Sequence, residues 1–111
     1  MAVTPKVLVD RKFIENTQVT QYTSIKCTTV IDKFTVTNVS VTNVAVNVNL
    51  VQNGNVADTY NLVIKNKVIQ PDETYSMIEL VGQIIENGDF ISTLCDTANS
   101  LVISVAGRQI T

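Results

Sequence analysis

The sequence predicts an all-β fold: a single antiparallel β-sandwich, jelly-roll or Greek-key-like, of about eight strands. Three observations predict it. Valine, isoleucine and threonine supply 43 of the 111 residues, and these β-branched side chains fit a pleated sheet better than a helix. Turn formers recur about every 8–12 residues, the rhythm of short strands in a sandwich. No segment of useful length repeats its apolar residues at helical spacing. A chain of 111 residues makes one domain. Surface scaling gives it about 6,000 Å² when folded, so about two-thirds of the unfolded surface can be buried without staples.

Residues 1–18 are the least regular. Lys6-Val7-Leu8-Val9 reads as a short strand that the charged Asp10-Arg11-Lys12 interrupts. Phe13-Ile14 then leads into polar Glu15-Asn16-Thr17-Gln18. This stretch is expected to be an N-terminal arm or edge segment, with the sandwich domain over 19–111. An arm of this kind would order by adding a strand to a neighbour.

From Val19 the pattern firms. Thr20–Thr23 is β-like, and Ser24–Asn38 is rich in β-branched residues. Its alternation breaks, which places a bulge near Thr28-Thr29. Val44, Val46, Val48 and Leu50 then alternate with Ala45, Asn47, Asn49 and Val51. This is the clearest strand, with a core on one side and water or a partner on the other. Asn53-Gly54 after it predicts a type I′ hairpin turn. A strand follows within Val56–Ile64, and a short one around Lys67-Val68-Ile69, ended by Pro71-Asp72. Tyr75–Val81 reads as strand or short helix, broken by Gly82. Asn87-Gly88-Asp89 is a turn, Phe90–Cys95 a strand and Asp96–Ser100 a loop. Leu101, Ile103 and Val105 line the last strand, where Gly107 marks a bulge or a close backbone approach.

The chemistry is sparse. Histidine is absent, which removes the commonest general base, the commonest metal ligand and any nucleophile paired with histidine. Asp72 and Glu73 are neighbours in a turn and point apart, unlike the facing carboxylates of a glycosidase. Asn87-Gly88-Asp89 lacks the carboxylate spacing of a calcium loop. There is no phosphate loop or dinucleotide fingerprint. No enzyme activity, catalytic residue, cofactor or metal is expected.

Eight basic and ten acidic residues leave a net charge of −2. The basic residues are scattered, unlike the basic stripe of a duplex binder, so no nucleic-acid partner is expected. Lys65 and Lys67 read as a solvated face. Cys27 and Cys95 form no CxxC pair and read first as buried free thiols; a disulfide requires their strands to come close. The N-terminus lacks the pattern of a signal peptide, and no run approaches a membrane span, so cytoplasmic synthesis and no membrane partner are expected. Asparagine is frequent, at 11 residues. Asn47 and Asn49 share a strand face and are the candidate partner contacts, through amide donors and acceptors that suit a partner backbone or carbohydrate hydroxyls.

One further pattern lies in the C-terminal half. Pro71-Asp72-Glu73-Thr74-Tyr75 leads to Glu79-Leu80-Val81-Gly82-Gln83 and then to Glu86-Asn87-Gly88-Asp89-Phe90-Ile91. The chain closes with Ser100-Leu101-Val102-Ile103-Ser104-Val105-Ala106-Gly107-Arg108-Gln109-Ile110-Thr111, and upstream lies Val30-Ile31-Asp32-Lys33-Phe34-Thr35-Val36-Thr37-Asn38. Over about residues 20–111 this resembles a group of small tailed-bacteriophage virion proteins. Pro71-Asp72 stands where the group has a small residue and glycine, and Ala106 where it has serine. The resemblance implies a β-sandwich component of the virion, made in the host cytoplasm. Its partners would be the major capsid protein or other virion proteins. The expected function is non-enzymatic: decorating or cementing the capsid as a homo-oligomer, with a trimer favoured. Two alternatives are a neck, collar or tail/fibre accessory protein and a module recognising a cell-surface glycan.

Overall fold

A computed structural model describes residues 2–111. Nine strands form: β1 (Val3–Phe13), β2 (Val19–Thr23), β3 (Thr28–Asn38), β4 (Val44–Val51), β5 (Leu62–Ile69), β6 (Thr74–Ser76), β7 (Ile84–Ile85), β8 (Phe90–Cys95) and β9 (Leu101–Ile110). A single 3₁₀ turn, Thr59–Asn61, precedes β5. Two antiparallel sheets result. Sheet A runs β1-β9-β3-β6, with β7 also on β3; sheet B runs β2-β8-β4-β5. Because β6 and β7 occupy the same edge of β3, the fold has eight strand positions, as the turn rhythm predicts.

The winding follows from nested pairs. β4 pairs β5, β3 pairs β6 and β7, β2 pairs β8, and β1 pairs β9. That is one long antiparallel ribbon doubled back at residues 52–61. Coiling the ribbon joins β3 to β9 and β4 to β8, which closes two sheets over one core in jelly-roll order. The inner faces supply Phe34, Val36, Ile31, Val44, Val46, Val48, Ile91, Leu101, Ile103 and Val105, all fully buried. Alternation puts these side chains inward at every second residue. The folded surface is 6040 Å², in line with the size scaling.

Several elements differ from expectation, each for a local reason. Of the two expectations for 1–18, arm or edge segment, β1 is an edge strand of sheet A. Val3–Phe13 pairs along β9, and Leu8, Val9 and Ile14 lie in the core. Asp10-Arg11-Lys12 does not interrupt it, because register shifts after Val7 and Val9 absorb the broken parity. An edge strand keeps one flank in water, so charges are tolerated there. The strand therefore orders on its own chain and needs no docking partner to do so. In β3 the shift falls between Ile31 and Lys33 rather than at Thr28-Thr29.

Asn53-Gly54 does turn the chain, with Asn55 N–H donating to the Gln52 carbonyl at 3.0 Å. It is not a type I′ hairpin, however: Gly54 has φ +86° but Asn53 is not in the left-handed region. The connection is long because Asp58 caps the 3₁₀ turn and exchanges hydrogen bonds with Asn61. Residues Lys67–Ile69 continue β5 past Asn66, whose φ is 51°. Beyond β6, residues 77–83 form turns and no helix. Gly107 marks a close approach: a Cβ there would collide with the Val30 carbonyl oxygen and lie 2.9 Å from Leu8 Cδ1.

Candidate interaction surfaces

The strands place four connections at one end of the sandwich, and three connections with the chain termini at the other. One end carries 14–18, 39–43, 70–73 and 96–100. The other carries 24–27, 52–61, 86–89 and both termini of the sheet-A ribbon, where Val3 pairs Ile110. Candidate surfaces are therefore these two ends and the outer faces of the sheets.

Asn47 and Asn49 lie on the outer face of sheet B, but the two differ. Asn49 is buried, because residues 57–61 fold back over it. Its amide donates to the Asp58 carbonyl at 2.9 Å and to Asn61 Oδ1 at 2.6 Å. Its oxygen accepts from Gln18 Nε2 at 3.4 Å. These bonds stitch the 52–61 connection and the β1–β2 loop onto the sheet. Asn49 is thus spent inside the chain and is not offered to a partner. Asn47 is half-buried, and its oxygen accepts from the Asn66 backbone N–H. That bond holds the left-handed kink in β5. Asn47 also lines a shallow hollow of about 340 Å³ with Asn16, Asn66, Leu94 and Asp96. Period-two alternation shows that these asparagines oppose the core face. It cannot show that a distant loop covers one of them.

The cysteines are free and buried. Cys27 lies in a hydroxyl cluster: Ser24 Oγ is 3.3 Å from its sulfur and Thr29 Oγ1 3.7 Å. Tyr22 and Ser24 meet Thr29 at 2.7 and 2.9 Å, and Gln109 Nε2 donates to Tyr22 at 2.8 Å. Burial pushes the Cys27 thiol up, but hydrogen bonds from Ser24, Thr29, the Ile25 backbone and Tyr22 outweigh it and hold the pKa below the ordinary thiol value. Cys95 is raised, by burial and by the charges of Asp96 and Glu15. Cys27 is also the less buried, at 8% exposure against 2%. The thiolate is the nucleophile. In a native-state thiol titration at mildly alkaline pH, Cys27 is therefore expected to react before Cys95. Equal rates, read by mass spectrometry of the labelled peptides, would contradict that ordering.

Several other polar groups are engaged locally. Asp89 accepts from the Asn53 and Glu86 backbone N–H groups at 2.8 and 3.3 Å, and Asn87 from the Lys26 N–H at 2.7 Å. Glu73 accepts from the Gln70 N–H at 2.8 Å, closing its turn. Arg108 grips Asp32 across β9 and β3 through Nε at 3.0 Å and Nη2 at 2.9 Å. Lys12 binds Glu15 at 2.7 Å. Among the described residues, no three His, Cys, Asp or Glu side chains stand close enough to hold a metal ion.

The exposed apolar side chains are the residues that strand reasoning did not single out. On sheet A's outer face, Val3 and Val7 of β1 and Ile84 of β7 lie open, beside Ala106. One end presents Val39 and Val41, and the other Ile25, Val56 and Tyr60. The available signal was valine inside the turn-forming run Val39-Ser40-Val41-Thr42-Asn43. Apolar residues in a tight turn have no core to enter. Comparison with protein-family models, curated proteins and solved structures gives no match.

Proposed function

We propose that this chain is a non-enzymatic structural protein of a bacteriophage virion that decorates or cements the capsid. It acts through protein–protein contacts, with the major capsid protein or another virion protein as partner and a homo-oligomer, a trimer favoured, as the working unit. The observation that carries the reading is the exposed apolar surface. A jelly roll whose core is already closed still presents Val3, Val7 and Ile84 on the outer face of sheet A, and apolar side chains gathered on one face mark an interaction site where they join into a patch. The virion setting comes from the resemblance of residues 20–111. The fold adds only an analogy, since jelly rolls serve capsids and lectins alike.

A cement protein needs no chemistry. It stabilises a shell because it binds the assembled state and not the dissociated one. The test is binding to purified heads and to whole particles. Saturable binding at many copies per head, with the heads surviving a higher temperature, is the expected result. A few copies confined to the neck or tail would place it as an accessory protein there instead. Absence of binding to any part of the particle would reject the virion reading. Asn47 is the only one of the two candidate asparagines left for a glycan, so no separate glycan reading is advanced.

A further inference from the structure

Two asparagine–glycine turns in this chain make a matched pair. In 52–55 the Asn55 N–H donates to the Gln52 carbonyl at 3.0 Å, and in 86–89 the Asp89 N–H donates to the Glu86 carbonyl at 2.9 Å. Gly54 has φ +86° and Gly88 φ +89°, while neither Asn53 nor Asn87 is left-handed. Both are therefore type II turns with glycine in the third place. Both asparagines are exposed. An asparagine before glycine is open to imide formation, because glycine offers its nitrogen with no side chain in the way.

The turns differ in what holds them. The second is clasped to the 24–27 loop. The Gly88 N–H donates to the Ser24 carbonyl at 2.7 Å, and the Ser24 N–H donates to the Asp89 carbonyl at 3.0 Å. Asn87 Oδ1 accepts the Lys26 N–H at 2.7 Å. Nucleophile and side chain are both engaged there. In the first turn neither is. Among the described residues, the Gly54 N–H has no acceptor and the Asn53 carboxamide has no hydrogen bond. That carboxamide only leans on the Gly88 backbone, at the spot a Cβ there would fill. Asp89 Oδ1 holds the Asn53 N–H at 2.8 Å, so the backbone before the side chain is fixed while the peptide after it is free.

We propose that Asn53 is a self-modification site: it deamidates through an imide with Gly54 while the chain stays folded, well before Asn87 does. The Gly54 nitrogen gives up its proton to solvent base and attacks Asn53 Cγ. The N–Cγ bond forms, the Cγ–Nδ2 bond breaks, and ammonia leaves with a proton returned from solvent. Water then opens the five-membered ring. Opening at Cγ gives aspartate. Opening at the main-chain carbonyl gives isoaspartate, with the chain routed through Cβ. One water enters, one ammonia leaves and nothing is oxidised. Ring closure needs the peptide plane to turn its nitrogen toward Cγ. At Asn53 that rotation breaks no hydrogen bond. At Asn87 it breaks the bond from Gly88 to Ser24 and draws Oδ1 away from Lys26. Losing two such bonds slows the step by at least about tenfold. The product adds one negative charge to a chain of net charge −2, at the end that exposes Ile25, Val56 and Tyr60. The reaction follows from the chain alone and does not rest on the virion reading.

The test is to hold the folded protein in mildly alkaline buffer and map its peptides by mass spectrometry over time. The mass gain of amide-to-acid exchange should appear at Asn53 at least about tenfold faster than at Asn87. In denaturing urea the gap should close. Hydroxylamine, which cuts at the imide, should cleave the folded chain into 1–53 and 54–111. Asn53→Gln, which would need a six-membered ring, should resist that cut and lose the early acidic form on ion exchange. Its site is exposed, so its thermal midpoint should match the wild type. Equal rates at the two asparagines of the folded chain, or no conversion at Asn53, would overturn the proposal. A gap that persists in urea would overturn it too, because flanking sequence rather than the turn's hydrogen bonds would then set the rates.

Discussion

Gly107→Ala is expected to cost about 3 kcal/mol, the upper part of the usual range for core overpacking, because a backbone atom is the obstacle. The reason is the seam between β9 and β3, where Gly107 pairs Ile31 on one side and Lys6 of β1 on the other. An added Cβ would collide with the Val30 carbonyl oxygen, a backbone atom held by its own strand, and would crowd Leu8 Cδ1. Gly107 is not in the left-handed region, so the penalty is steric rather than conformational. Domains of this size carry only about 5–15 kcal/mol in total, so the loss is a large share. Urea unfolding should show a lower midpoint with little change in slope. The double variant Leu8→Ala/Gly107→Ala separates the causes. If Val30's backbone is the obstacle, trimming Leu8 restores nothing. Recovery in the double variant would show that the side chain was the clash.

Gly107 also shows which parts of the fold the sequence makes legible. A glycine within an alternating apolar strand has few reasons to exist, and a close backbone approach is one of them. The inward residues of β4 and β9 are readable for a similar reason: Val44, Val46 and Val48, like Leu101, Ile103 and Val105, repeat at the sheet's own period. Strand β1 is harder to read. Its register shifts and its Asp10-Arg11-Lys12 run scramble the alternation, and only pairing with the last strand of the chain makes it regular. The two asparagines of β4 mark the next limit. Parity puts both opposite the core, and the cover over Asn49 comes from residues 57–61, a long-range fact that no local pattern encodes. The mixed polar and apolar cleft lined by Leu50, Leu62, Ile84 and Phe90 draws on β4, β5, β7 and β8, and so exists only once the ribbon has coiled. Val41 was visible as a valine in a turn. Its exposure depends on the hydrogen bonds that buried Asn38 makes to the loop, and a turn-forming asparagine looks the same whether buried or not.

Asn38→Asp is expected to destabilise the protein by about 3–5 kcal/mol at neutral pH, the cost of an uncompensated buried charge. The wild-type amide satisfies four groups: it donates to the Thr42 and Ile69 carbonyls and accepts from the Ser40 N–H and hydroxyl. Asparagine and ionised aspartate have nearly the same shape, so packing is preserved and the change is electrostatic. A carboxylate has no donors. It would face two carbonyl oxygens at hydrogen-bond distance in a site fully closed to water, leaving those carbonyls unsatisfied and its own charge unpaired. None of the ion pairs Arg11–Asp10, Lys12–Glu15 or Arg108–Asp32 places a cation there. The new carboxyl should therefore titrate well above its unfolded value of about 3.9. The folded variant then binds a proton more tightly than the unfolded chain, so its stability is greatest below about pH 4 and falls as pH rises toward the raised folded pKa. The deficit relative to wild type should thus be smaller at pH 4 than at pH 7, because the protonated acid recovers one donor. Paired urea titrations at the two pH values read this directly. An equal deficit at both would mean that the loop opens to let water reach the carboxylate. In that case the frame that holds Val41 outward would be soft at neutral pH.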